Sequence, residues 1–331
     1  MNLKKSKSAI IFLFAMLALL ACKRNQFKID LSKTEKEPVE IYDYGKALFS
    51  LNRDSLPSQL KELQKQYALF LGTEPMTDEQ IIQLDFYIND VFLNDLFKLY
   101  QSTFPSLKPL KEDLSLAFQH LRYYYPNTKS PEVYAYISGI QDPVIFQDNI
   151  LVLGLDNYLG ESCEIYARIG VPKYKMKSMN PSFVVRDVIS AMSLEKMPRI
   201  EPDASVLEQM IFEGKRMFFI KSMMPEIKDS VLLSFSDEQL AWFEKNESEL
   251  WKYYIEYEVL FKTDYESMKK FINEAPFTSV LGNDSPSRTG VWLGYQIVLA
   301  YAKNSKENLP DILSNTNAKE ILNKSKYRPG K

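Results

Sequence analysis

Apolar residues recur along most of this chain at the three-and-four spacing of a helix. The clearest run is Ile81, Leu84, Ile88, Val91, Phe92 and Leu96, which predicts a helix starting after Thr77. Four starts carry the capping-box pattern, in which a hydroxyl and a following acid or amide satisfy orphan amides of the first turn. They are Thr77-Asp78-Glu79-Gln80, Ser205-Val206-Leu207-Glu208, Ser236-Asp237-Glu238-Gln239 and Thr263-Asp264-Tyr265-Glu266. Further helices are predicted over about 55–70, 107–124, 181–193, 246–261, 287–303 and 317–323.

One region has a different period. Glu132 to Ile137 alternates around Val133, Ala135 and Ile137, and Val144-Ile145-Phe146 is β-rich. Ile150-Leu151-Val152-Leu153 follows after Asp148-Asn149, a pair suited to a tight hairpin turn. Three short strands are therefore expected inside a helical protein. The predicted class is α+β, a predominantly helical single domain with a small three-stranded sheet containing an antiparallel pair. Only 11 glycines argue against an all-β fold with many tight turns, and no solenoid repeat is visible.

The first 38 residues follow another logic. Lys4, Lys5 and Lys7 precede an apolar stretch from Ala9 to Ala21, too short to span a bilayer as a stable helix. It ends in Leu19-Leu20-Ala21-Cys22, the lipobox order of bacterial lipoproteins. Residues 1–21 are expected to be a signal peptide and Cys22 the lipidation site. The polar stretch 22–38 reads as a lipidated tether, leaving 39–331 as the globular domain. Membrane association would come from acyl chains, at ~0.8 kcal/mol per buried methylene. The residues just after the cysteine, Lys23-Arg24-Asn25-Gln26, are basic and polar, and no acid occurs before Asp30. Acidic residues there usually accompany export of such lipoproteins to the cell surface, so a periplasm-facing protein is expected, on the outer membrane's inner leaflet. The longest later uncharged stretch, Thr289 to Ala302, suits a buried helix better than a bilayer crossing.

Composition narrows the chemistry. The chain has 331 residues, 45% of them apolar, with 20 Tyr, 20 Phe and 3 Trp, so a large core can form. A formal charge of -2 gives no reason to expect a nucleic-acid partner. One His excludes a site of two imidazoles, and two Cys exclude a disulfide-stapled scaffold. With Cys22 acylated, Cys163 has no intrachain partner. His120 is placed near a predicted helix C-terminus, where an imidazolium is favoured by the dipole. Its spacing from Cys163 gives no support to a nucleophile–base pair.

Two stretches stand out among the helices. Glu213-Gly214 interrupts an apolar stripe, and glycine inside a helix costs ~1 kcal/mol relative to alanine, so it often marks close packing. Glu213 could be a ligand, an acid/base or half of an ion pair; the last is the commonest role. Gly290 and Gly294 share one helix face and admit a close neighbour. Arg288, at that helix start, could bind an acidic group or form a structural ion pair. No phosphate-binding glycine loop, Gly-x-Ser-x-Gly elbow or HExxH occurs.

Several motifs occur in one order. They are Tyr136-Ile137-Ser138-Gly139, Gly154-Leu155-Asp156-Asn157-Tyr158-Leu159-Gly160, Met179-Asn180-Pro181 and Met210-Ile211-Phe212-Glu213-Gly214-Lys215. Gln239-Leu240-Ala241-Trp242, Pro276-Phe277-Thr278, Gly290-Val291-Trp292-Leu293-Gly294 and Lys324-Ser325-Lys326-Tyr327 complete the set. Over roughly residues 38–331 the chain resembles the gliding-motility lipoprotein family GldB of Bacteroidota. The resemblance implies an envelope lipoprotein associated with gliding and with the type IX secretion apparatus, with envelope proteins as partners.

A second resemblance, to predicted zinc peptidases, implies a zincin-like scaffold. Asp187, in the 181–193 helix, would lie where HExxH belongs, and Glu213 where the third ligand belongs; neither histidine is present. Zinc sites need about three protein ligands, so no catalytic residue, metal or cofactor is expected. Asp187, Glu213 and Arg288 are instead expected to line a vestigial groove. Two functional readings result: a non-catalytic scaffold working through protein contacts, or an envelope hydrolase acting on peptide or peptidoglycan through its carboxylates. Asp187 and Glu213 converging in an open cleft would favour the hydrolase, and paired or exposed carboxylates the scaffold.

Overall fold

Three of the four capping boxes form as reciprocal pairs, at Thr77, Ser205 and Ser236. The fourth helix starts one residue later than expected. Asp264 takes the cap because its carboxylate accepts from both Ser267 N (2.9 Å) and Ser267 Oγ (2.8 Å). The computed structural model describes residues 26–330, so the signal segment and Cys22 lie outside the described residues. The chain divides into an N-terminal unit ending at Lys33 and a body from Thr34 onward. In the N-terminal unit, Asp30 Oδ1 accepts from Ser32 N in a short turn.

In the body, β1 (Ile41–Asp43) leads into helices α1 (Tyr44–Phe49), α2 (Leu56–Gln66), α3 (Asp78–Asn89), α4 (Val91–Thr103) and α5 (Lys108–Tyr124). Strands β2 (Glu132–Tyr136), β3 (Val144–Gln147) and β4 (Ile150–Gly154) follow. Next come α6 (Val184–Ser193), α7 (Val206–Met223), α8 (Asp229–Leu233), α9 (Asp237–Glu256) and α10 (Tyr265–Phe271). The chain closes with α11 (Thr289–Ser305), α12 (Leu309–Ser314) and α13 (Ala318–Ser325), and single-turn helices fill several connections.

Two predicted helices are broken. The apolar run from Ile81 to Leu96 is divided at Asp90, whose extended backbone ends α3 while its side chain accepts from Leu93 N and starts α4. Val91, part of that run by its spacing, is 76% exposed. The 55–70 helix breaks at Tyr67, which turns into the core.

The class is α+β as expected, but the sheet has four strands in the order β1-β2-β4-β3, not three. β1 is only three residues long, too short to show a period, and pairs parallel to β2. β4 lies between β2 and β3, parallel to the first and antiparallel to the second. The β3–β4 hairpin turns at Asp148 and Asn149, both with positive φ (50° and 63°), as a type I′ turn requires.

Residues just before β1 are strapped to α5. Gln119 Nε2 donates to the Thr34 carbonyl and Arg122 Nε to that of Glu35, while Ser115 Oγ accepts from Val39 N. These three side chains recur at helical spacing along α5, so the docked strap begins inside the stretch assigned to the tether.

The centre of the body is the crossing of α7 and α11. Every residue from Thr289 to Tyr295 is buried, the all-round burial of a core helix. The glycines expected to admit a neighbour admit each other's helix. A Cβ on Gly214 would run into the Gly294 carbonyl, and one on Gly294 into the Met210 carbonyl. Backbone therefore lies on backbone. Trp292 stacks on Phe243 of α9, ring centroids 4.8 Å apart, and Tyr254 bonds Thr289 at 2.8 Å, holding α9 against the crossing.

Because the atoms that would clash belong to backbone, no rotamer change can relieve an added methyl. Gly294→Ala should lower stability by about 3 kcal/mol or more, measured by urea denaturation; a loss below about 0.5 kcal/mol would show that the helices are free to move apart.

Candidate functional site

The glycine crossing places residues on either side of Gly214 against α6 and fixes the start of α11 nearby. The carboxylate of Glu213 is held by Arg216 one turn on, with Nη1 2.9 Å from each oxygen. Arg216 Nη2 also donates to Ser190 Oγ of α6 at 2.7 Å. This is the ion pair that Glu213 was most expected to make.

Asp187 has its own partners. Arg186 Nη1 donates to Oδ1 at 2.6 Å, and the Tyr158 hydroxyl donates to Oδ2 at 2.9 Å. Burial, then the neighbouring Asp187 charge, pushes the Tyr158 phenol far up, so it remains a donor. Arg186 also reaches the Leu232 carbonyl through Nε and Nη2, both at 3.3 Å.

Arg288 approaches the same place from α11. It donates through Nη1 to the Leu233 carbonyl at 3.0 Å, so two arginines cap the C-terminal carbonyls of α8. Glu274 stands 4.0 Å away, at the limit of ion pairing, and is itself 47% exposed. Arg288 is only 9% exposed and takes a left-handed conformation, φ 55°. Burial lowers its pKa, as does Arg186, against the opposing pull of Glu274 and Glu213. A guanidinium nevertheless stays cationic.

The three residues singled out in the sequence thus belong to one charged cluster, with Asp187 and Glu213 both paired. Arg186, Arg216 and Tyr158 were missed. The Glu213–Arg216 spacing of three was the available signal, because such residues adjoin on a helix; Tyr158 stands in one of the ordered motifs, but no spacing rule ties it to Asp187.

The residues present do not fit zinc. Guanidinium or phenol hydrogens occupy the carboxylate oxygens that would face the metal, and both acids lie beside arginines. No group of three or more His, Cys, Asp or Glu among the described residues could hold a metal ion.

A cavity of about 400 Å³ opens beside the cluster. Arg288 and Ser287 line it together with Glu274, Phe235 and Asn180, and Lys177 and Glu161 are exposed on its wall.

Other polar residues serve the scaffold. Asp156 is fully buried and accepts from Ser138 N and Oγ and from Ile140 N, pinning the loop after β2. Burial raises its pKa against those bonds. Lys215 is buried and donates to the carbonyls of Leu313 and Asn315 at the end of α12; burial lowers its pKa to about 8. Cys163 is half-buried and begins a single-turn helix.

His120 lies near the C-terminal end of α5, as expected. It is buried, its Nδ1 has no partner, and burial lowers its pKa from 6.5, which disfavours the charged form. The unfolded state then binds a proton that the folded state resists, and stability should fall as pH drops below about 6.5. His120→Gln should flatten that part of the stability profile. The lone imidazole should titrate below 6.5 by NMR; a midpoint above that value would contradict the sign.

For the ion pair, Glu213→Gln and Arg216→Met should each cost about 3 kcal/mol by stranding a largely buried partner. The double variant should cost less than the sum by about 1–2 kcal/mol. Additive losses in denaturant melts would show that the pair is not coupled.

No curated protein and no solved structure gives a significant match to the chain. The family model GldB_lipo, described as gliding motility protein GldB, matches residues 24–329, and this near-complete coverage makes the chain a member of that family.

Proposed function

We propose that this chain is a non-catalytic, lipid-anchored component of the cell envelope. It supports gliding motility, or the associated type IX secretion machinery, through protein–protein contacts. The family assignment supplies the process. The observation supporting a scaffold over a hydrolase is the pairing of both candidate acids. Asp187 and Glu213 each accept from an arginine, and neither oxygen of either carboxylate lacks a donor. A general base or nucleophile must come within hydrogen-bond reach of the reacting group, and carboxylates whose oxygens already hold guanidinium or phenol donors favour the structural role.

In this reading Cys22 carries the acyl anchor, the protein faces the periplasm, and the helical body offers the binding surface. No helix among the described residues is long and apolar enough to cross a membrane, so attachment would rest on the lipid.

Complementation tests the reading. Cells carrying Asp187→Asn or Glu213→Gln, with the protein at wild-type abundance, should glide and secrete normally. Loss of either process from a folded, normally abundant variant would favour hydrolysis. Cys22→Ala should move the protein out of the membrane fraction. Crosslinking of the tagged protein in its own cells should recover envelope proteins, and recovery of none would count against the proposal.

A further inference from the structure

The cluster contains three arginines, Arg186, Arg216 and Arg288, but only two of them hold a carboxylate in hydrogen-bond contact. Arg288 is the most deeply buried of the three and has one hydrogen bond, to a neutral carbonyl. A guanidinium has five N–H donors in a planar fork matched to a carboxylate. Burying such a charge without a close counter-ion is costly, and Glu274, at 4.0 Å and half-exposed, offsets it weakly. Arg288 also lies at the N-cap of the 17-residue helix α11, where the helix dipole adds positive potential. Its guanidinium stands 5.7 Å from the Phe235 ring, which orients it without accepting its hydrogens.

This residue lines the cavity of about 400 Å³ between the start of α9, the 274–276 loop and the loop before α6. The volume is that of a small-ligand site. Its walls mix groups that suit a short peptide: Asn180 and Ser182, which bond each other at 2.6 Å, make one wall polar, and Tyr174, Phe183 and Pro276 offer apolar contact for side chains.

We propose that this cavity binds the C-terminal carboxylate of a peptide, with Arg288 as its anchor and Glu274 as the internal competitor that an incoming carboxylate displaces. The proposal rests on the protein-contact reading and gives the partner a chemistry: a chain whose free end enters the cavity. A side-chain carboxylate shares the charge but would have to enter from the middle of a strand.

The test is calorimetric titration of the full mature protein with acetyl-Ala-Leu-Ala bearing a free carboxylate. Its C-terminal amide and acetyl-Ala-Glu-Ala-amide serve as the comparison probes. The free acid should bind about tenfold or more tightly than either. Arg288→Lys should weaken it about tenfold, because a lysine cannot pair as a fork, and Glu274→Gln should tighten it several-fold. Acid and amide binding equally, the side-chain acid binding best, no binding by about 10 mM, or no tightening in Glu274→Gln would each overturn the proposal. If Arg288→Lys does not fold, the three peptides and Glu274→Gln still decide. Envelope partners recovered without any carboxylate preference would sink the site and leave the functional reading. Carboxylate binding with no partner recovered would do the reverse.

Discussion

Contact between the backbones of α7 and α11, at Gly214 and Gly294, is the constraint from which the rest of the arrangement follows. Helices separated by ordinary side chains sit 8–10 Å apart; here neither helix has a Cβ at the crossing, and each glycine faces the other helix's main chain. The close approach brings the turn holding Glu213 and Arg216 against α6, and it fixes where α11 begins. Arg288 precedes that first turn, so its position depends on the crossing too. The left-handed conformation of Arg288 is a local cost that a rigid helix start can sustain.

The charged cluster beside the crossing shows how a core accommodates ions. Each partly buried carboxylate has an arginine close in sequence, Arg186 for Asp187 and Arg216 for Glu213, so the pairs assemble within their own helices. Local pairing does not make such ions a large source of stability, because desolvation offsets most of the attraction. Their effect is to fix geometry. Ser190, Tyr158 and the Leu232 carbonyl each tie one of these side chains to a different element. A metal in the same place would need those carboxylate oxygens for itself, and guanidinium charges would oppose it.

Much of this was legible where the cause is local. Capping boxes at Thr77, Ser205 and Ser236 depend on four consecutive residues, and all three formed. The Asp148-Asn149 turn depends on two residues that tolerate positive φ. The glycines announced a close helix crossing, though not that Gly214 and Gly294 meet. What stayed hidden is non-local. β1 is too short for a period and exists because β2 offers an edge. Asp90 breaks a well-formed apolar run because a side-chain cap competed with helix continuation. The cavity is bounded by segments from Glu161 to Arg288, and no spacing rule connects them.

Arginine has two uses in this core, and the difference between them bears on function. Arg186 and Arg216 carry their own counter-ions, so their energetics are complete within the protein. Arg288 relies on a carbonyl, an aromatic ring and a half-solvated glutamate 4.0 Å away. Removing water from the wall beside it would strengthen any anion it met, since Coulomb attraction grows as the local dielectric falls. A ligand that both fills the cavity and supplies a carboxylate therefore gains from burial and from charge together, whereas a small inorganic anion would supply only the charge.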